Sequence, residues 1–171
     1  MVHSYAFAKS GNIFLYINCY ILINSNINIL NFMNKDFEQI SLKPGFMKHN
    51  GGVLFKTISQ DEYHFKTTIK ENHLNAAGIT HGGFIAAFVD AGAGTAAHRV
   101  ADNKPCVTIS LELKFISAIQ LDQELVGTTK IQKKTKSMIF LTCELKVENK
   151  IVATASGVWK ILKLSGAGPG G

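Results

Sequence analysis

Charge is scarce in this chain: only 18% of its 171 residues are Asp, Glu, Lys or Arg, while 46% are hydrophobic. Yet the apolar residues never run unbroken for the roughly 20 positions that a membrane-spanning helix needs, and no low-complexity tract dominates. Those two absences argue against a multi-span membrane protein and against a disordered chain. Three cysteines, Cys19, Cys106 and Cys143, are too few and too scattered for a disulfide framework or a zinc site. They point instead to a reducing, cytoplasmic setting. The formal charge of +6 suits a phosphate-bearing ligand, a nucleic acid or an anionic membrane equally well, so it selects no partner. The length is that of one domain with a core of its own.

Charge is scarcest in residues 1–32, where Lys9 stands alone among six Asn and six Ile; all 12 acidic and the other 17 basic residues follow. The apolar run Ile13 to Ile23 is interrupted by Asn18 and is too short to span a bilayer. No small-x-small cleavage site follows it, and no Arg marks a transit peptide. The segment reads as an atypical extension: an upstream stretch translated from an early start, with Met33 the working initiator, or alternatively an N-terminal membrane anchor. At the other end, residues 165–171 (SGAGPGG) read as a flexible tail, leaving 33–164 as the folded domain.

Within that domain, Asp36 to Lys43 is expected to form a short helix using Phe37 and Ile40, ending before Pro44-Gly45. Val53 to Ile58 and Tyr63 to Ile69 have the β-branched and aromatic content of strands. From His81 to about Val100 the chain is apolar on nearly every face and too long for a strand, which predicts a buried helix. Three alternating runs follow. The first sets Val107, Ile109, Leu111, Leu113 and Phe115 on one face, with Thr108, Ser110, Glu112 and Lys114 on the other. The second turns Ile139, Leu141, Cys143, Leu145 and Val147 inward; the third has Ile151, Ala153, Ala155, Trp159 and Ile161 in phase. Gly127 to Gln132 adds a further strand. Late strands without crossover helices exclude a doubly wound fold, so the class is α+β: an antiparallel sheet around one long central helix.

The chemistry concentrates on that helix. Asp90 is the only charged residue between His81 and His98, and its neighbours one turn away, Ala86, Ala87, Ala93 and Gly94, offer it no partner. A carboxylate kept in an apolar helix is expected to be buried and in use. Gly82 and Gly83 open the helix, where unsatisfied N–H groups and the helix dipole favour a ligand oxygen, and the lack of Cβ atoms lets it come close. Gly82 and Asp90 lie eight residues apart, about 12 Å along one helix, too far to act on one carbonyl. If they share a site, two helices must pack antiparallel across a two-fold axis, each start facing the middle of the other. The small residues Ala91 to Ala97 allow such an approach, or else seat the helix tightly on its own sheet.

The segment Asn75-Ala-Ala-Gly78-Ile-Thr-His81-Gly82-Gly83, followed by Asp90 and Thr108, resembles the signature of the hotdog-fold acyl-CoA thioesterases of the PaaI-like type. The resemblance covers approximately residues 36–163. It implies a homodimer, commonly a dimer of dimers, that hydrolyses the thioester of an acyl-CoA without metal or cofactor. By position, it makes Asp90 the base or nucleophile and Gly82 the oxyanion donor. Asn75 and Thr108 would place water or substrate, and His81 would shape the loop or hydrogen-bond near the carbonyl. In the dimer, Asn75 and Gly82 would come from one subunit and Asp90 and Thr108 from the other. Lys130, Lys133, Lys134 and Lys136 form an acid-free run in which Lys134 and Lys136 are expected to meet CoA phosphates, or else to be a solvated turn. That run lacks interleaved aromatics, which disfavours nucleic acid. A module that binds acyl-CoA without turning it over is the competing reading.

Overall fold

The computed structural model describes residues 36–163. Its sheet holds seven strands: β1 (Glu38–Ile40), β2 (Val53–Thr57), β3 (Glu62–Thr68), β4 (Cys106–Phe115), β5 (Glu124–Lys134), β6 (Met138–Val147) and β7 (Lys150–Ile161). A four-residue helix, α1 (Phe46–His49), lies between β1 and β2, and the long helix α2 (Gly82–Val100) between β3 and β4. The order across the sheet is β1-β2-β3-β5-β6-β7-β4, antiparallel at every step. The late strands are a meander only in part. β5, β6 and β7 follow one another, but β4 pairs with β7 and ends the sheet. Among the described residues no helix is long and apolar enough to cross a membrane.

The core is the face of this sheet closed against α2. Phe84, Ile85, Phe88, Val89, Ala93, Ala96 and Ala97 of the helix are buried with Phe55, Phe65, Ile139, Leu145 and Trp159 of the strands. Phe65 shows how tight the fit is. A Cβ on Gly92 would stand 2.3 Å from its ring and one on Gly127 2.2 Å, so α2 and β5 clasp the ring with backbone. A Cβ on Gly94 would stand 3.3 Å from Trp159 Nε1, a looser contact but still a tight one. The small residues of α2 therefore seat the helix on its own sheet, the second of the two uses open to them, and no longer argue by themselves for a helix pair.

Three local expectations are corrected. Residues 36–43 form no helix. Glu38–Ile40 is an edge strand paired with β2 (Ile40 opposite Val53), and the helix begins only after Pro44-Gly45. Phe37 and Ile40 fit a helical spacing, but the hydrogen bonds available beside β2 decide the outcome. In β7 the phase slips. The register jumps from Leu145–Ala153 to Lys146–Ile151, so Val152 is buried and Ile151 is 40% exposed. The strand expected over 127–132 runs from Glu124 to Lys134.

A fourth correction, in β4, builds the site. Thr108 pairs with Trp159 and Ser110 with Val158, leaving Ile109 as an extra residue. Such a bulge inverts the alternation that precedes it. Residues opposite each other in a ladder share a face. Thr108, Leu111, Leu113 and Phe115 therefore stand on the α2 side with their partners Trp159, Gly157, Ala155 and Ala153. Val107 pairs with Lys160 and faces away. Val107 and Ile109 are 43% and 57% exposed, an open apolar patch on the edge strand.

Candidate functional site

The loop before α2 is built by its own polar side chains. Asn75 Oδ1 accepts from the N–H of Ala77 at 2.9 Å and of Ile79 at 3.4 Å, while Gly78 adopts φ +75, a conformation glycine takes without strain. The Asn75 carbonyl oxygen is thus committed to the turn, and its Nδ2 has no partner among the described residues. His81 is the N-cap of α2, its Nδ1 accepting from the Gly83 N–H at 2.8 Å. Gly83, expected to meet substrate, has its N–H occupied by this cap. The Gly82 N–H has no acceptor among the described residues, and it sits at the positive end of the helix dipole. Phe115 lies over it: a Cβ on Gly82 would stand 3.4 Å from Phe115 Cζ.

One residue behind this loop carried no signal in the sequence. His73, 1% exposed, accepts from the Lys70 N–H on Nδ1 at 3.1 Å and donates from Nε2 to the Asn50 carbonyl at 3.0 Å. Its ring stacks on Phe84 in the first turn of α2, centroids 3.7 Å apart, and its carbonyl accepts from the His81 N–H at 2.8 Å. Burial pushes its pKa below that of a free imidazole. A neutral imidazole with one donor and one acceptor satisfies this position completely. Only the sheet and the loop together reveal that role.

Asp90 departs from its expectation. It is exposed in the single chain rather than buried, and it has a partner: Thr108 Oγ1 donates to Asp90 Oδ1 at 2.6 Å. The reason is geometric. Asp90 lies on the stripe of α2 that faces β4, the strand at which the sheet ends. Helical neighbours could not show this, because the partner lies 18 residues away across a bulge. Asp90 and Thr108 border a cavity of about 470 Å³ that continues past Gly94 and His98 of α2, with Cys106 and Trp159 on its strand side.

Of the lysine run, Lys130 pairs with Glu62 at 3.7 Å, and Lys133 borders a polar cavity beside Arg99 and Asp61. Lys134, bound to Asp102 at 3.2 Å, borders that cavity too and also a second one, together with Lys136, Lys104 and Lys163. Those last two lie outside the run and were not anticipated. Cys143 is in the core as expected, its thiol pushed up to about 12 by burial. Cys106 is only partly buried and lines the Asp90 cavity. The structure thus joins Asp90 to Thr108 and Asn75 to the Gly82 loop. It does not join these two groups within one chain.

A family model described as the thioesterase superfamily matches residues 77–154, spanning the end of the loop, α2 and the strands into the first part of β7. A Pseudomonas aeruginosa protein assigned by name to the esterases is 33% identical over 94 residues, covering 54% of this chain and 70% of its own. Acyl-coenzyme A thioesterase 13 of Mus musculus is 26% identical over 112 residues, 64% of this chain and 80% of the relative. Among solved structures, zebra fish thioesterase superfamily member 2 superposes with a TM-score of 0.65 at 20% identity, over 71% of this chain and 90% of that one. That likeness shows the hotdog fold.

Proposed function

Because the chain belongs to the thioesterase superfamily, whose members cleave thioesters, we propose that its substrate is an acyl-CoA and that Asp90 is the group that acts on the carbonyl. The observation that carries this reading is the 2.6 Å hydrogen bond from Thr108 to Asp90 at the mouth of a cavity of ligand size. A carboxylate oriented by a hydroxyl is fit to take a proton from water, and one oxygen lone pair of Thr108 is left to hold that water.

In this mechanism the Asp90 carboxylate removes a proton from water as the water oxygen adds to the thioester carbon. The oxyanion that forms accepts from the N–H of Gly82 of the partner subunit. On collapse the C–S bond breaks, and the proton passes from Asp90 to the departing thiolate, leaving acid and CoA. Direct attack by Asp90, followed by hydrolysis of the anhydride, differs in one observable. In H₂¹⁸O, a single turnover labels the released acid by the first route, whereas an anhydride opened by water at the Asp90 carbonyl leaves ¹⁸O in Asp90.

Two observations support a homodimer as part of this reading. Gly82 and Asp90 are about 12 Å apart along one helix, and the exposed patch at Val107 and Ile109 lies on an unpaired sheet edge. Asn75 would bring its free amide beside Gly82, and His81 acts through the cap it gives the loop. Thiol release from a panel of acyl-CoAs differing in chain length and aromaticity tests the proposal. Binding without release by every member of the panel would replace it with an acyl-CoA sensor.

A further inference from the structure

Gly82 has no side chain by which the fold could hold its N–H in place. Three of the first four N–H groups of α2 are already taken. Gly83 donates to His81 Nδ1 at 2.8 Å, and Phe84 and Ile85 donate to the His81 carbonyl at 2.9 and 3.2 Å. The direction of the remaining one, on Gly82, is set by the residues on either side that the fold can grip, His81 and Phe84.

His73 grips both. Its carbonyl accepts from the His81 N–H at 2.8 Å, and its ring lies 11° from parallel on that of Phe84. Leu74 and Thr80 bridge just inside this bond and close the loop between them. His73 is fixed from behind as well. Nδ1 accepts from the Lys70 N–H, and Nε2 donates to the carbonyl of Asn50, the C-cap of α1. Asn50 is itself tied down, its Nδ2 donating to Phe46 O at 2.9 Å and its Oδ1 accepting from Asn72 Nδ2 at 3.3 Å. The start of α2 therefore rests on one buried ring whose two nitrogens have opposite duties.

Only a neutral imidazole fills that position. A second ring proton would set Nδ1–H against the Lys70 N–H, donor to donor, where water cannot intervene. The surroundings offer such a cation no relief. Burial opposes it first, and Lys70 adds positive charge from the same turn, in which Glu71 is exposed to solvent. The last turn of α1 carries Lys48 and His49. The first turn of α2 has no acidic residue and presents the positive end of its dipole, and its N-cap His81 is a second imidazole.

Resting on the acyl-CoA reading above, in which the Gly82 N–H meets the thioester oxygen, we propose that His73 is a positioning residue for hydrolysis. Neutral, it holds that N–H on the developing oxyanion. Protonated, it gives up the Lys70 bond, loosens its hold on His81 and Phe84, and lets the helix start move off line. Acid then turns hydrolysis down through a residue that never touches the substrate.

The test measures thiol release from an acyl-CoA between about pH 5 and 8 in the full chain and in His73→Phe and His73→Gln, wherever circular dichroism reports the folded state. In the parent, kcat should fall below about pH 6.5 while KM holds, because the oxyanion contact is made only in the transition state. His73→Phe keeps a ring on Phe84 without either nitrogen. Its kcat at the alkaline end should be about tenfold lower, and its acid limb shallower by the part that His73 supplies. His73→Gln, whose neutral amide can still donate to the Asn50 carbonyl, should regain part of that kcat with the same shallow limb. A limb of unchanged midpoint and depth in both variants overturns the proposal. A second readout needs no turnover: glycine-selective ¹⁵N NMR, with the Gly82 amide identified by its loss in Gly82→Pro. That resonance should follow the titration of the His73 ring in the parent and stay fixed in His73→Gln. A Gly82 amide indifferent to the ring in the parent also overturns the proposal. If no acyl-CoA is hydrolysed, the hydrolase reading fails, and the Gly82 resonance still decides whether His73 holds the donor.

Discussion

Thr108 on β4 and Asp90 on α2 meet at 2.6 Å only because Ile109 is a surplus residue in the ladder between β4 and β7. Without it, Thr108 would share the outward face with Ser110 and Glu112. The hydroxyl fixes the carboxylate, and the bulge fixes the hydroxyl. Asp90→Asn should lower thiol release roughly a thousandfold while leaving the circular dichroism spectrum unchanged. Thr108→Ala should cost about 10- to 100-fold in kcat, the worth of a hydrogen bond to a charged group, and Thr108→Ser should recover most of it. Near-normal turnover by Asp90→Asn would end the mechanism.

Gly82 offers a clean way to remove one N–H. It occupies the first helical position, where proline is favoured, and His81 before it is extended (φ −65, ψ 131), as a residue preceding proline should be. Gly82→Pro alone and Asp90→Asn alone should both be inactive. Mixed and allowed to exchange subunits, they should regain about a quarter of the parent's activity, because each hybrid dimer contains one site with both groups intact. No recovery despite verified exchange would refute a site shared between subunits.

The edge patch predicts a linked loss of assembly and activity. Ile109→Lys places a charge among apolar side chains on the open strand, where Ile109 is 57% exposed. Light scattering should report monomers, and hydrolysis should fall with the dimer fraction. A variant that remains dimeric and active would place the interface elsewhere.

Gly92 tests the seating of the helix. Glycine to alanine inside a helix ordinarily stabilises by about 1 kcal/mol. Here the added methyl group would stand 2.3 Å from Phe65, so Gly92→Ala should instead destabilise by about 1–3 kcal/mol in urea denaturation.

His73 predicts an acid limb in stability. Its folded pKa lies below the ordinary imidazole value of 6.5, so the unfolded chain binds the proton more readily. The stability it contributes is complete above about pH 6.5 and is lost as the pH falls from there through the folded pKa. Denaturation midpoints measured between pH 5 and 8 should show this slope, and His73→Asn should flatten it. An identical slope in the variant would assign the limb to other groups.

Much of this was legible before the structure. The largely apolar content of residues 82–100 specified α2, and strict alternation in β6 specified its inner face from Ile139 to Val147. The family resemblance carried by Asn75, Gly82, Asp90 and Thr108 pointed to residues that the structure places on the loop, α2 and β4. What failed did so for reasons beyond any local window. Glu38–Ile40 became a strand because β2 offered an edge. Ile151 and Thr108 changed faces because single extra residues entered their ladders. Asp90 looked stranded because its partner comes from a distant strand. Lys104 and Lys163 are 59 residues apart, too far for a charge run to unite, yet they line one cavity.

The bulge at Ile109 also makes sheet regularity and site geometry compete. Deleting that one residue would restore a continuous ladder between β4 and β7 and make the strand more ideal. The same deletion would rotate Cys106 and Thr108 away from α2, leaving Asp90 without its hydroxyl and the cavity without a wall. Drift toward a more regular sheet at this edge would therefore yield a well-folded protein that has lost the site, and the irregularity is the feature selection must hold fixed.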